Sequence, residues 1–192
     1  MTHATPLFRR PDQALWQQGA LIVAGSLLIA IAAQVAVPMW PVPITLSTLA
    51  ILTVGLSLGP RMGALAVLTY LAEGAMGLPV FANGGAGLAY MMGPTGGFLL
   101  GYVAMAYIAG LAARASLPVM IGTTLAASAL LYVPGLAWPL AVASAMGVEA
   151  SWASSEASAL WSGWMQPFLI GDAIKAVLAA LIVTGGLKAL QR

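Results

Sequence analysis

Long stretches without any charged side chain most restrict how this chain can fold. Residues 13–60, 74–113 and 115–148 contain no Asp, Glu, Lys or Arg. Only 6% of the residues are charged and 61% are hydrophobic, whereas about a quarter of the residues in a soluble domain are charged. This composition excludes a disordered chain, a coiled coil and a soluble enzyme. It predicts a protein that lies in a membrane.

Six apolar stretches are candidates for membrane crossing, which takes about 20 helical residues. They are residues 19–37, 42–58, 62–76, 97–113, 117–145 and 165–187. We predict an all-α, polytopic membrane protein with six transmembrane helices, forming one integral membrane domain over residues 1–192. Residues 1–18 lack the apolar core and cleavage site of a signal peptide, so they are expected to remain as a cytoplasmic N-terminal segment.

The basic residues predict the orientation, because Lys and Arg accumulate in short cytoplasmic loops. If the N-terminus is inside, six spans place all of the following on the cytoplasmic side: Arg9, Arg10, Arg61, Arg114, Lys188 and Arg192. The same count places Glu73, Glu149 and Glu156 at or beyond the outer surface. Both termini are therefore predicted to be cytoplasmic, and the two long connections, residues 77–96 and 147–163, are predicted to be extracytoplasmic.

The connection over residues 77–96 combines six glycines with several large apolar side chains. So many glycines disfavour a stable helix, while the apolar side chains favour burial. Irregular backbone at membrane depth survives only where protein or a wet cavity satisfies its polar groups. We therefore expect this loop to fold back into the protein and to close over a ligand that enters from outside.

Asp172 and Lys175 are the ionisable residues that lie clearly within an apolar stretch. Their spacing of three puts them on one helical face. Each costs about 2.5 to 3.5 kcal/mol at the centre of a lipid-facing helix, so this face is expected to look into the bundle. The pair offers an acceptor and a donor to a small ligand. The alternative is a self-neutralising pair that only fixes helix packing.

The outer loop supplies further candidates for ligand contact. Asn83 offers an amide and Tyr90 a phenol, while Gly93 and Thr95 belong to a glycine-rich turn that can bring backbone close to a ligand. A tight turn with close helix packing explains the same glycines equally well.

Other residues have simpler structural explanations. Four tryptophans are expected to be interfacial anchors, with one of them an alternative pocket floor: Trp40, Trp152, Trp161 and Trp164. Gln34 is the only strongly polar residue of the first span, and Glu73 fits either a membrane boundary or a pocket. Ala32 and Ala36 have the small-xxx-small spacing of a helix contact, although alanine is so common here that chance explains it too.

Several classes of site are missing from the sequence. It has no phosphate-binding loop for ATP and no metalloprotease motif, and it has no cysteine for iron–sulfur or thiol chemistry. A net charge of +2 is too small for nucleic-acid binding. We therefore expect no enzyme activity, no metal and no cofactor.

Four motifs resemble the BioY family, which comprises the biotin-specific substrate-binding (S) components of energy-coupling factor (ECF) transporters. They are PVPIT at 41–45, GLPVFA at 77–82 followed by Gly84 and Gly85, GPTGGFL at 93–99 with Gly101 and Tyr102, and Asp172-x-x-Lys175. The motifs occur in family order and extend over most of the chain. The resemblance implies a six-helix S-component fold and high-affinity capture of biotin at the outer face of the bacterial cytoplasmic membrane.

The resemblance also implies site residues and partners. The family's Asp and Lys of the last helix match Asp172 and Lys175, and its binding-loop asparagine matches Asn83. A transmembrane coupling protein and a pair of ATPases are implied, docking in part on small residues of the first helix, for which Ala32 and Ala36 are the candidates. A homo-oligomer is left open. The alternatives are a passive or proton-coupled carrier or channel for another solute, and a structural membrane subunit without a ligand.

Overall fold

The computed structural model describes residues 15–142, 152 and 157–190. Each of the six apolar stretches contains a helix, and two short helices, α4 and α7, lie between them. The helices are α1 (Leu15–Gln34), α2 (Ser47–Leu58), α3 (Pro60–Ala75), α4 (Gly87–Met91), α5 (Gly96–Leu111), α6 (Leu117–Ala137), α7 (Ala157–Leu160) and α8 (Gln166–Leu190). Five of the charged residues used to predict the orientation lie outside the described residues: Arg9, Arg10, Glu149, Glu156 and Arg192.

Among the described residues, three helical segments are long and apolar enough to cross a membrane: Leu15–Gln34, Leu117–Leu140 and Ser158–Gly186. Two further apolar helices, Ser47–Leu58 and Gly96–Leu111, are shorter. Large apolar side chains cover the outside of the bundle; Ile31 on α1 is 68% exposed and Ile170 on α8 is 76% exposed. Such a surface suits lipid rather than water, and the chain is a membrane protein.

The proline-rich connection between the first two helices differs from the prediction. α1 ends at Gln34 and α2 begins at Ser47, so both helices are shorter there than the apolar stretches. Between them, β1 (Ala36–Val37) pairs antiparallel with β2 (Ile44–Thr45). Three prolines in this connection fix φ and lack an N–H, which excludes continued helix and favours extended backbone.

The prediction of a loop over residues 147–163 is wrong at the C-terminal end of that range, because helical structure begins at Ala157. α7 continues through a π-helical turn, Trp161–Met165, directly into α8. Leu160 and Trp164 of this segment are buried. Tertiary packing of these apolar side chains stabilises helix in a serine-rich stretch of weak helical propensity.

The core lies around α5, which packs against α2, α3 and α6. Small residues allow these backbones to approach. A Cβ added to Gly63 of α3 would lie 2.9 Å from the Cα of Gly55 on α2, and one added to Gly101 of α5 would lie 2.8 Å from the Leu131 side chain of α6. Close backbone approach through small residues is the usual way in which membrane helices pack.

Two tight turns lie at the same end of the bundle. Gly59 joins α2 to α3 with a φ of 83°, a left-handed conformation that glycine adopts without strain, and residues 112–116 join α5 to α6. Both turns line one cavity of about 260 Å³, which includes Gly59 and Arg114. Arg61 and Arg114 are both exposed there. The basic turns are therefore neighbours, as the orientation argument requires.

Candidate binding site

Asp172 and Lys175 of α8 point into the bundle, as predicted. Their residues are 6% and 8% exposed, and Lys175 Nζ lies 2.8 Å from Asp172 Oδ1. A buried ion pair is held only where further hydrogen bonds compensate for the loss of water. The hydrogen-bond partners of the pair therefore determine which of its donors and acceptors are left for a ligand.

Three other segments supply those partners. The Thr48 hydroxyl of α2 donates to Asp172 Oδ1 at 3.3 Å, and the Tyr132 hydroxyl of α6 donates to Oδ2 at 2.8 Å. Lys175 Nζ donates to the backbone carbonyl of Thr45 in β2 at 3.1 Å. Sequence reasoning missed all three, because single Thr and Tyr residues in apolar stretches carry no distinctive signal.

The pair retains capacity for a ligand. An ammonium group has three N–H donors, and Lys175 uses two of them, on Asp172 and Thr45. A carboxylate has about four acceptor positions, and three are occupied at Asp172. Among the described residues, one N–H of Lys175 and one acceptor position on Asp172 Oδ2 therefore have no protein partner.

A small cavity lies on the other side of Thr45. Its volume is about 30 Å³, and its polar lining consists of Thr45, Ser47, Tyr70, Tyr90, Thr95 and Tyr102. Thr45 belongs to the cavity wall and also accepts from Lys175. Thr45 therefore links the ion pair to the cavity.

The loop over residues 77–96 does fold back into the protein, as predicted, and Phe81 anchors it. The Phe81 ring is fully buried; it lies edge-on to Tyr70 of α3 at 5.4 Å and stacks on Tyr90 at 5.1 Å. Gly74 of α3 makes room for this ring, because any Cβ there would overlap it. Aromatic packing thus joins the loop to α3 and to the cavity wall.

Tyr90 and Thr95 line the cavity, and their role as ligand contacts stays a prediction. Burial raises the pKa of the Tyr90 phenol, and a hydrogen bond from Thr95 opposes part of that rise. The phenol is therefore neutral at pH 7 and can donate a hydrogen bond.

The other predicted loop residues lie elsewhere. Asn83 is exposed at the tip of a turn, with a φ of 56°, and is not part of the cavity lining. The Gly93 carbonyl accepts from Trp138 Nε1 at 3.0 Å, so its backbone is engaged within the protein. Gly96 and Gly97 pack closely against Trp138, which agrees with the packing explanation of these glycines.

One of the four tryptophans, Trp164, is not an interfacial anchor and is closer to the alternative prediction of a pocket floor. Trp40 and Trp161 are exposed, as interfacial anchors should be, but Trp164 is 2% exposed. Its ring stacks on Phe98 at 6.2 Å with an interplanar angle of 13°, and Phe98 lines the cavity. Trp152 contacts Trp164 and is partly buried. Trp164 therefore supports a cavity wall from behind.

The helical basis for pairing Ala32 with Ala36 is also wrong. Ala36 lies in β1, since α1 ends at Gln34, and the two alanines do not share a helical face. Gly19, Ala20 and Ala24 are the exposed small residues of α1. A docking face on this helix would therefore use a register nearer its N-terminus.

Glu73 is neither free at a boundary nor part of the cavity lining. The Ser26 hydroxyl of α1 lies 2.9 and 2.8 Å from its two carboxylate oxygens, and Ser26 is fully buried. This contact joins α1 to α3 roughly halfway along α1.

Comparison with known proteins agrees with the resemblance. The model of the BioY family matches residues 5–192. The chain is 36% identical over 166 residues to the biotin transporter BioY of Thermotoga maritima, covering 84% of this chain and 92% of that protein. It is 34% identical over 163 residues to the probable biotin transporter BioY of Pyrococcus horikoshii, covering 85% of this chain and 90% of that protein.

A solved structure has the same fold. The crystal structure of the S-component for biotin from an ECF-type ABC transporter superposes with a TM-score of 0.73 and 22% identity, covering 94% of this chain and 96% of that one. The family model matches nearly all of the chain, the relatives match most of it, and the fold is shared. The chain therefore belongs to the BioY family.

Proposed function

We propose that this chain captures biotin outside the cell and acts as the substrate-binding component of an ECF-type transporter. The observation that carries the proposal is the buried Asp172–Lys175 pair behind a cavity with aromatic walls, which a folded-back loop covers. The identity of the ligand, biotin, is inferred from the names of the relatives.

The chemistry of biotin fits the groups that stay available. Its ureido ring has two N–H donors and one carbonyl acceptor, its sulfur-containing ring is apolar, and its tail ends in a carboxylate. Asp172 accepts from a ureido N–H, and the third N–H of Lys175 donates to the ureido oxygen or to the tail carboxylate. Tyr90 and Phe98 offer flat apolar faces beside them.

Entry of the ligand requires the loop to move. A cavity of about 30 Å³ is far below the roughly 300 to 1,000 Å³ of small-molecule sites. Ala82 and Tyr90 belong to the loop side of this cavity, and the Phe81 ring stacks on Tyr90. In our proposal the loop opens to admit biotin and closes over it, so that its amides exchange hydrogen more slowly in the complex.

The proposed topology has six spans, with both termini in the cytoplasm of a bacterial cell. The two basic turns share one cavity at one end of the bundle, while the β-strands and the loop over residues 77–96 lie at the opposite ends of the same helices. This separation supports placing Arg61 and Arg114 inside and the biotin site outside.

Energy must come from a partner, because the chain has no phosphate-binding loop. We propose a transmembrane coupling protein with a pair of ATPases, docking in part on the exposed small residues Ala20 and Ala24 of α1. Close approach through small residues is the common geometry between membrane helices.

The deciding experiment is equilibrium binding of biotin to the purified protein in detergent. Tight one-to-one binding is the expected result. Weak binding with uncoupled flux in vesicles would favour a carrier or channel, and failure to bind any vitamin would favour a structural subunit. Either outcome would overturn the proposal.

A further inference from the structure

Gln34, the last residue of α1, reaches across to the loop that covers the proposed site. Its amide nitrogen lies 3.1 Å from the carbonyl oxygen of Phe81, 3.3 Å from that of Val80 and 3.4 Å from that of Pro79. Its amide oxygen accepts from the backbone N–H of Gly84 at 3.1 Å. One side chain thus binds both sides of the loop turn.

The partners fix the orientation of this amide. Carbonyl oxygens surround the nitrogen and an N–H faces the oxygen, so the opposite orientation would place like groups against each other. The nitrogen also lies 3.2 Å from the Ala30 carbonyl of its own helix. The side chain is therefore held from α1 as well as from the loop.

The same turn carries the groups that form the cavity. Phe81 N–H donates to the Gly85 carbonyl, and Gly85 N–H donates to the Ala82 carbonyl, which closes the turn around the Gln34 amide. Ala82 lines the cavity, and the Phe81 ring stacks on Tyr90, which also lines it. Release of the turn from Gln34 would therefore free the loop side of the site.

We propose that Gln34 is a positioning residue that holds the turn 79–84 closed against α1 and thereby sets how slowly the ligand leaves. The inference rests on the proposed function for the identity of the ligand. The contact between Gln34 and the loop does not depend on it.

Two substitutions separate hydrogen bonding from packing. Gln34→Met keeps the length of the side chain and removes every hydrogen bond, whereas Gln34→Glu keeps the size and the acceptor for Gly84 but has no N–H for the loop carbonyls. The matched control is Gln166→Met at the start of α8, where the glutamine is exposed and its side chain makes no hydrogen bond to other residues in the part of the chain that the structure describes.

Hydrogen exchange of the ligand-free proteins and dissociation of radiolabelled biotin, chased with excess unlabelled biotin, are the two measurements. Both Gln34 variants should exchange faster at residues 80–85, with α5 and α6 unchanged, and should release biotin about fivefold faster or more, the factor expected for one net hydrogen bond. Gln166→Met should behave like the parent.

Each other outcome is decisive. Parent-like exchange at Gly84 in both variants would overturn the contact, and faster exchange with parent-like release of biotin would overturn its role in retention. If Gln34→Met does not fold, exchange at Phe81 and Gly85 in Gln34→Glu decides instead, because the glutamate keeps an acceptor for Gly84. A parent protein that binds no biotin would refute the proposed function, and exchange at Gly84 would then decide whether Gln34 holds the turn.

Discussion

The Tyr132 hydroxyl donates to Asp172 Oδ2 at 2.8 Å, so a buried phenol of α6 is hydrogen-bonded directly to the carboxylate of α8. Thr48 of α2 donates to the other oxygen of the same carboxylate. Asp172 is thus bound by two helices before any ligand arrives. Its structural and ligand-binding roles must be separated by experiment.

Replacement of Tyr132 by Phe tests the structural role. The variant keeps the ring, which lies edge-on to Phe98, and removes one hydrogen bond to a charged group, so unfolding should become easier by about 1.5 to 3 kcal/mol. Thermal unfolding in detergent measures this. Tyr107→Phe is the control, because Tyr107 is exposed on α5. Equal stability of the two variants would contradict the assignment.

The ion pair itself should be needed for biotin. Asp172→Asn and Lys175→Ala should each weaken biotin binding at least about tenfold, or roughly 1.4 kcal/mol, in equilibrium titrations. Each also leaves one buried charge without its partner, which typically costs about 3 to 5 kcal/mol of stability.

The double substitution Asp172→Asn with Lys175→Met removes both charges. It should recover much of the lost stability, because no unpaired charge is left, but it should not recover biotin binding. A double variant that binds biotin like the parent would show that the pair serves packing alone.

Topology can be tested with single cysteines, because the chain contains none. Cysteine at position 61 or at position 114 should react with a membrane-impermeant reagent only after the cells are opened, since both turns are placed in the cytoplasm. Reaction at either position in intact cells would refute the six-span arrangement.

The Phe81 ring occupies the space beside Gly74, which predicts that a larger residue at position 74 destabilises the loop. Gly74→Ala forces a methyl group into the space of the Phe81 ring, and overpacking of this kind costs about 1 to 3 kcal/mol. Gly122→Ala on α6 is the control, because nothing lies within 4 Å of its added Cβ; it should be neutral or stabilising. Only the Gly74 variant should unfold more easily and exchange hydrogen faster in the loop.

The Ser26–Glu73 contact predicts a compensating pair. Ser26→Ala removes the hydroxyl that both carboxylate oxygens approach, which should destabilise the protein by about 1 to 3 kcal/mol. Ser26→Ala with Glu73→Leu should regain most of that loss, because no polar group is then left without a partner. A double variant less stable than Ser26→Ala would disprove this account.

The sequence patterns located helices well and connections poorly. Each of the six apolar stretches contains a helix, because in lipid a helical backbone satisfies its own hydrogen bonds. Helix ends shifted where local chemistry or packing intervened: the prolines near Val37 stopped α1 early, and burial of Trp164 extended helix into a serine-rich stretch.

Within the candidate site, the two charged residues were predictable from the sequence, whereas their hydrogen-bond partners were not. Asp172 and Lys175 stood out because ionisable residues are costly in an apolar stretch. Tyr132 and Thr48 did not, since their role depends on helices that meet only in three dimensions. Gln34 was visible as a polar exception in α1, but its partner turn, which ends at Gly84, could not be read from the sequence.

The shortness of α2 has a consequence for transport. Its 12 residues rise about 18 Å, whereas the hydrocarbon core of a bilayer is about 30 Å thick. With Gly59 at the cytoplasmic surface, Ser47 lies about 12 Å beneath the outer surface. In the proposed topology, a ligand bound at the level of Ser47, which lines the cavity, has already passed through more than a third of the hydrocarbon, and the proposed partner has to open only the thinner barrier that remains.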